Sequence, residues 1–127
     1  FHKPGLSYVY TMHTHNLFNV VAAEVDDPQA ILIRGIEPLI GEEVMMINRP
    51  VKEKRNLTSG PGKLTKAMGI DLSHYGHPLW EKPLYIAHGE EQPTKHQTGK
   101  RIGIPNAKEA TEYPYRFWIT DNPFVSR

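Results

Sequence analysis

Apolar runs separated by short polar stretches dominate the first part of the chain. Residues Leu6–Met12 and Leu17–Asp26 are rich in Tyr, Val, Phe and Leu, with the polar stretch His13–Asn16 between them. Two such runs joined by a few polar residues predict a β-hairpin. A third run, Ala30–Ile36, is apolar apart from Arg34, which is typical of a strand buried on both faces. An arginine inside such a strand needs a partner, because an unpaired buried charge is strongly destabilising.

Two short helices are predicted in the middle of the chain. The segment Gly41–Asn48 carries two glutamates at its start, which favour a helix, and Pro50 follows as a stop. In the next segment Ser59 can cap, Pro61 suits the first turn and Gly69 suits a left-handed end. We therefore expect a second helix of about two turns.

The rest of the chain is predicted to add short strands. Asp71–Gln97 is rich in Pro, Gly and His, with one predicted strand at Leu84–Ala87, and two late strands are predicted at Lys100–Ile104 and Tyr115–Thr120. Because strands and helices do not alternate regularly, the expected class is α+β, not doubly wound α/β. A chain of 127 residues can bury one core, so we expect a single domain, a curved antiparallel sheet flanked by short helices.

Composition and charge exclude several classes of protein. The chain has no cysteine, which excludes a disulfide framework and a thiolate zinc site. No apolar run approaches the roughly 20 residues that cross a bilayer, so no membrane partner is expected. Lys and Arg number 15 against 14 Asp and Glu, a net charge of +1. Any anionic partner must therefore be held by a local patch.

Histidine pairs and a glycine-rich segment are candidate reactive sites. His13 with His15, and His74 with His77, would give a four-histidine metal site, but no carboxylate completes either pair at a recognisable spacing, so no metal is expected. No Gly-x-Ser-x-Gly elbow occurs. The segment Ser59–Lys63 lacks the Lys-Ser/Thr ending and the preceding strand of a phosphate-binding loop, which excludes nucleotide hydrolysis.

Two modest basic sites fit a localised nucleic-acid footprint. At the second helix start, Ser59 and Gly60 leave backbone amides accessible beside Lys63, although an ordinary helix with a solvated lysine face explains the segment equally well. Arg101 and Gly103 offer a second place, where glycine permits close approach of another backbone. Both sites would suit contacts to phosphates.

Aromatic and amide side chains occupy the predicted hairpin. Tyr8 and Tyr10 alternate with Val9, so their rings share one face of the strand. Such pairs are most often core, but a tyrosine there could also stack on a nucleobase, worth roughly 1–3 kcal/mol per base. Asn19 lies in an apolar run, where it either bonds to backbone or lines a pocket that reads a base edge.

Taken in order along the chain, six segments resemble the alkyladenine (3-methyladenine) DNA glycosylase family, of mammalian-type fold. They occur in family order over nearly the whole 127 residues, and the combination of Arg-x-x-Glu-Pro with Ser-Gly-Pro-x-Lys-Leu is the most specific part. The Met-His-Thr-His hairpin looks closest to bacterial, Bacillus-like members. The segments are Lys3–Tyr10, Phe18–Val21, Ile31–Leu39, Ser59–Ala67, Arg101–Ile104 and Tyr113–Trp118.

This resemblance implies a DNA repair enzyme. Members push a damaged nucleotide out of the stack with a hairpin in the minor groove, then hydrolyse the N-glycosidic bond of alkylated purines such as 3-methyladenine. The resemblance implies no metal, no cofactor and no lysine Schiff base. It further implies a monomer that acts on double-stranded DNA with alkylated bases, in the bacterial cytoplasm at the nucleoid.

Site residues follow from the resemblance position by position. Tyr10 looks like the aromatic that stacks on the extruded base, and Asn19 like the residue that screens a purine's exocyclic amino group. Arg34 resembles the arginine that helps hold the attacking water, and the backbone carbonyl of Ile102 is implied to contact the same water. These four residues are the expected base-binding and catalytic positions.

The resemblance also implies contacts to the DNA itself. The wedge that fills the vacated stack corresponds to His13, with Met12 and His15 as alternatives, because the match to Asn19 needs one residue deleted. A flat or apolar side chain suits that task. The residues implied to bind the DNA backbone are Ser59, Gly60, Lys63, Arg101 and Gly103.

One departure from the family pattern concerns the general base. The family's catalytic glutamate lies in a Glu-Thr-Glu-Ala-Tyr segment that does not occur in this sequence, and Glu24 and Glu37 have their own places in the match. We therefore expect residues 1–127 to be the C-terminal portion of a glycosylase domain, incomplete for catalysis. The alternative is a non-catalytic DNA-binding module of the same fold, and a zinc hydrolase built on the histidine pairs is a distant third.

Overall fold

The computed structural model describes residues 4–22, 29–89, 95–99 and 116–125, and every structural statement below refers to these ranges. The chain divides into two compact units, residues 1–88 with 124–127 and residues 89–123. Both units contain short antiparallel strands, and the two α-helices of the described ranges lie in the first unit. The predicted α+β class is thereby confirmed.

The first unit is built on a three-stranded antiparallel sheet. Strand β1 (Ser7–Met12) pairs with β2 (His15–Val21), and β2 pairs with β3 (Ala30–Leu32), in the order β1-β2-β3. The predicted hairpin is confirmed, but β2 begins earlier than expected, because the connection is only two residues long. Tyr10 lies opposite Leu17 in this register.

A tight turn closes the hairpin. Met12 pairs with His15, which leaves His13 and Thr14 as the two turn residues. Their φ angles are 50° and 71°, both in the left-handed region. Two successive positive φ angles are characteristic of a type I′ turn, whose twist matches that of the flanking strands.

The third strand corrects one expectation. A strand over Ala30–Ile36 buried on both faces is wrong, because β3 ends at Leu32 and both Ala30 and Ile31 are exposed. The physical reason is that β3 is an edge strand with β2 on one side only. One further bond, from the Ile33 amide to the Phe18 carbonyl at 3.0 Å, prolongs the contact before the chain leaves the sheet.

Both predicted helices are present. Helix α1 spans Glu42–Asn48 and helix α2 spans Pro61–Met68. The expectation that Ser59 caps α2 is wrong: the cap residue is Gly60, in extended conformation, and no side chain caps the helix start. At the other end Gly69 has a φ of 73°, the left-handed stop that the sequence predicts.

The core lies between one face of the hairpin and helix α2. Its buried apolar cluster consists of Val9, Phe18, Leu64, Ile70 and Leu79. The two helices are tied to each other by the Asn48 amide, which donates to the Ala67 carbonyl at 2.9 Å. On α1, Val44 and Ile47 remain exposed, so the second helix and not the first supplies the core.

Two smaller sheets complete the described strands. Strands β4 (Trp80–Glu81) and β5 (Leu84–Tyr85) pair in the first unit, so the strand predicted at Leu84–Ala87 is shorter than expected and β4 was missed. In the second unit β6 (His96–Gly99), also missed, pairs with β7 (Arg116–Ile119), which confirms the last predicted strand. The strand predicted at Lys100–Ile104 lies outside the described residues. Neither α-helix in the described ranges has the length and apolar content needed to cross a membrane.

Candidate functional site

The hairpin has one face that packs into the core and one that carries aromatic and amide groups. Directly opposed residues of antiparallel strands point to the same face, so Tyr8 and its partner Asn19 share a face with Tyr10. Val9 and its partner Phe18 point the other way, into the core. The predicted sharing of one face by the two tyrosines is confirmed.

Three tyrosine rings form a row on that face. The ring centroids of Tyr8 and Tyr10 are 5.5 Å apart with planes at 75°, and Tyr8 meets Tyr75 at 5.5 Å and 69°. Edge-to-face pairs of this kind are worth about 0.5–1.5 kcal/mol each beyond area burial. Tyr10 is half-buried, so its orientation is restrained while part of the side chain remains accessible. Sequence reasoning missed Tyr75, which no local pattern connects to the hairpin.

Asn19 lies at the buried end of the same face. Its side chain is 5% exposed, and its amide group donates to the Tyr8 carbonyl at 3.3 Å. Of the two interpretations left open by the sequence, the structure therefore shows the backbone hydrogen bond. Because this bond uses the amide nitrogen, the asparagine is held beside the strand that carries both tyrosines.

Arg34 follows the edge strand instead of lying within it. Leu32 pairs with Asn19, and the Ile33 amide is bonded to Phe18, next to the position opposite Tyr10. The backbone thus brings Arg34 alongside the stretch of β2 that pairs with Tyr10. The Arg34 residue is half-buried and is engaged by a neighbouring group, as a charge in such a place requires.

The three candidate wedge residues occupy different places at the hairpin end. Met12 is 48% exposed at the last position of β1, and His13 is exposed in the turn itself. His15 also has an exposed surface, but its ring lies against Gly62 of helix α2. All three residues thus lie at the turn end of the hairpin, where Met12 and His13 are exposed and the His15 ring packs against helix α2.

The start of α2 lies close to the turn end of the hairpin, where His15 lies against Gly62. Ser59 and Gly60 are buried, and Lys63 is half-buried with its side chain folded back over Gly60: a Cβ atom on that glycine would lie 3.2 Å from the Lys63 Cδ. The helix start therefore combines an uncapped first turn with a lysine, an arrangement that suits an anion. Of the expected backbone-binding residues, Arg101 and Gly103 lie outside the described residues, as does the expected catalytic residue Ile102.

The histidine pairs do not come together. His13 lies in a left-handed turn while His15 begins strand β2, so the two histidines do not lie on one extended stretch of chain. His74 Nδ1 accepts from the Asp71 amide at 3.1 Å, and His77 Nε2 donates to two backbone carbonyls at 2.8 Å each, those of Glu81 and Leu84. Within the described ranges, no group of three or more His, Cys, Asp or Glu is placed to hold a metal ion.

One carboxyl group beside these histidines has a perturbed acidity. The Ser73 hydroxyl and then the Ser73 amide donate to Asp71, and these bonds hold the pKa of its carboxyl below the usual 3.8. The same aspartate begins the 3-10 turn Leu72–His74. That turn precedes Tyr75, so it sets where the third ring of the aromatic row lies.

Together these features define a small α+β protein with an exposed hairpin turn, an aromatic and amide face on that hairpin, and a lysine-bearing helix start without a side-chain cap. The family model described as methylpurine-DNA glycosylase (MPG) matches residues 1–123, and the chain belongs to this family. The resemblance noted in the sequence is thereby confirmed.

Curated relatives agree with this assignment. The chain is 54% identical to an Oceanobacillus iheyensis protein over 98% of its own length, and 54% identical to a Bacillus subtilis protein over 100%. A more distant Enterococcus faecalis relative is 42% identical over 98% of the chain. All three carry the name "Putative 3-methyladenine DNA glycosylase". The chain spans 63% and 64% of the first two relatives' lengths and 55% of the third's.

Proposed function

We propose that this protein is a DNA glycosylase of base-excision repair, which hydrolyses the N-glycosidic bond of alkylated purines in duplex DNA. The family match over residues 1–123 and the names of the relatives support the class of activity. The observation that carries the proposal is the common face of Tyr10 and Asn19, next to which the backbone brings Arg34.

Base extrusion is the first step of the proposed reaction. Flipping a nucleotide costs a few kcal/mol, least for a weakened pair. The Tyr10 ring, held edge-on by Tyr8, would return roughly 1–3 kcal/mol by stacking on the flipped base. Met12 or His13 at the hairpin tip would fill the gap left in the duplex, with His13 the expected wedge.

Hydrolysis follows at the deoxyribose C1′ atom. The C1′–N bond to the base breaks, a C1′–O bond to water forms, the electron pair of the broken bond leaves with the base, and the water proton passes to a general base. Alkylation gives the purine a positive charge, which makes it a good leaving group. Arg34 and the Ile102 carbonyl are proposed to hold the water, and Asn19 is proposed to screen the exocyclic amino group of the purine. The sequence contains no Glu-Thr-Glu-Ala-Tyr segment, so no residue of residues 1–127 is assigned as the base.

The DNA backbone is proposed to contact the start of helix α2. An uncapped first turn with Lys63 beside it suits one phosphate, through backbone amides and a cationic side chain. Arg101 and Gly103 remain proposed contacts on the strength of the resemblance. We further propose a monomer acting at the bacterial nucleoid, in the cytoplasm.

The direct test is base release by the full-length gene product from alkylated duplex DNA. Free methylated purine should appear, the abasic strand should break only after alkali, and EDTA should not lower the rate. Strand breakage without alkali would contradict the monofunctional mechanism, and loss of activity in EDTA would contradict the metal-independent one. Failure to release any base would reject the proposed activity.

The alternative function is a DNA-binding module of the same fold without catalysis, which would use the lysine-bearing start of helix α2 to contact DNA. It predicts that the full-length protein binds duplex DNA with an affinity that falls steeply with salt, because phosphate contacts release counterions. It also predicts no released base at any protein concentration. The same base-release assay, run beside a binding titration, distinguishes the two functions.

A further inference from the structure

A buried hydroxyl group joins the hairpin to helix α2. Thr65 is 2% exposed, and its hydroxyl donates to the Asn16 carbonyl at 2.7 Å. The same oxygen lies 3.1 Å from the Gly62 carbonyl within its own helix. Because water is excluded, this bond fixes the first residues of β2 against the helix more firmly than an exposed bond would.

His15, the neighbour of Asn16 in β2, packs against Gly62, which has no side chain. A Cβ atom on Gly62 would lie 2.9 Å from His15 Cγ and 3.0 Å from both His15 Cβ and Nδ1. Separations below 3.0 Å are essentially never found for real Cβ atoms. Rotation about the Cα–Cβ bond would move Cγ and Nδ1 away but not Cβ, so the backbone at His15 would still have to shift by a few tenths of an ångström.

We propose that Gly62 is a positioning residue whose missing side chain seats His15 and so fixes the hairpin tip beside the start of α2. Together with the Thr65 bond to Asn16, this seat makes the hairpin and the helix one rigid unit. The inference rests on the proposed function in one respect: the tip that enters the groove and the helix start that meets a phosphate would then bind duplex DNA at a fixed spacing.

The chemistry of position 62 separates this role from an ordinary helix start. Glycine is a poor helix former, and alanine in the same place would favour the helix. If Gly62 served the helix alone, Gly62→Ala would be neutral or stabilising. If Gly62 seats His15, the substitution displaces the hairpin, and removal of the His15 ring cancels the effect.

A double-mutant cycle tests the proposal on the full-length protein. Wild type, G62A, H15A and G62A/H15A are compared by the amide NMR shifts of Met12, His13 and Thr14, and by affinity for a short duplex at one salt concentration. We expect G62A to shift the tip amides and to weaken DNA binding about fivefold. In the H15A background the same alanine should change affinity by less than about twofold.

The possible results are decisive in both directions. If Gly62→Ala leaves the tip amides unchanged, or shifts them equally with and without the His15 ring, the seat does not exist. If G62A fails to fold and G62A/H15A folds, the seat is supported, since only the ring differs. If the wild type binds no duplex, the proposed function fails, while the amide shifts still decide whether Gly62 positions the hairpin.

Discussion

Tyr8 stands edge-on to Tyr10, with ring centroids 5.5 Å apart and planes at 75°. It makes a second edge contact with Tyr75 and accepts the Asn19 amide at its backbone carbonyl. Tyr8 is therefore the centre of the face on which the flipped base is proposed to stack. Tyr8 itself has no proposed contact with the flipped base, but it contacts Tyr10 and Asn19, which do.

Replacing Tyr8 should harm both stability and catalysis. Tyr8→Leu removes two edge-to-face pairs, so we expect a loss of about 1–3 kcal/mol in the free energy of unfolding. The base-release rate at saturating enzyme should fall, because the Tyr10 ring loses its restraint. Urea unfolding and single-turnover kinetics measure the two effects, and Tyr8→Phe, which keeps the ring, is the control. Equal rates for Leu and Phe variants would contradict the supporting role.

The Thr65 hydroxyl should contribute measurably to stability. Thr65→Val keeps the shape of the side chain and removes the bond to the Asn16 carbonyl, so unfolding should become easier by about 1 kcal/mol. Thr65→Ser keeps the hydroxyl and removes a buried methyl group, so it measures the packing contribution separately. Chemical denaturation would show the difference, and a Val variant at least as stable as the wild type would argue against the bond.

The hairpin turn carries conformational strain at a β-branched residue. Thr14 has a φ of 71°, where glycine is favoured, so Thr14→Gly should stabilise the protein by about 1 kcal/mol. The same substitution at Thr11, in the extended strand β1, should instead destabilise it by about 0.5–1 kcal/mol. Thermal unfolding of both variants tests the pair of signs. Destabilisation by both would mean that Thr14 is not strained.

Stability should depend on Asp71 in acid. Because Ser73 lowers the pKa of this carboxyl in the folded protein below 3.8, its contribution is fully present above pH 3.8 and is lost as pH falls through the folded value. Asp71→Asn should remove this part of the acid dependence. Unfolding measured between neutral pH and pH 2 compares the two proteins, and identical acid profiles would show that the bonds from Ser73 have no energetic effect.

Local patterns predicted the elements that depend on local residues. The alternation in Leu6–Met12 and the apolar run after the polar stretch identified the hairpin, and Gly69 identified the end of α2. The edge strand was too long in the prediction, because the chain leaves β2 after Leu32 although β2 continues to His15, and no local pattern marks that departure. Ser59 was wrongly expected to cap α2, because its burial is a tertiary effect that the local sequence does not show.

The candidate site was predictable only in part. The common face of Tyr8 and Tyr10 follows from a strand period of two. Asn19 could be singled out because it is a polar residue in an apolar run. Tyr75 and the contact between His15 and Gly62 join positions far apart in sequence. No periodicity connects such positions, so folding alone brings them together.

The measurement that tests the central claim most directly is single-turnover release of an alkylated purine from duplex DNA by the full-length protein and its Tyr10→Ala and Arg34→Ala variants. All three proteins must first show the same folded circular dichroism spectrum. We expect release by the wild type and a rate at least about tenfold lower in each variant, the effect of losing about 1.4 kcal/mol. Release by both variants at the wild-type rate, or no release by the wild type, would contradict this expectation.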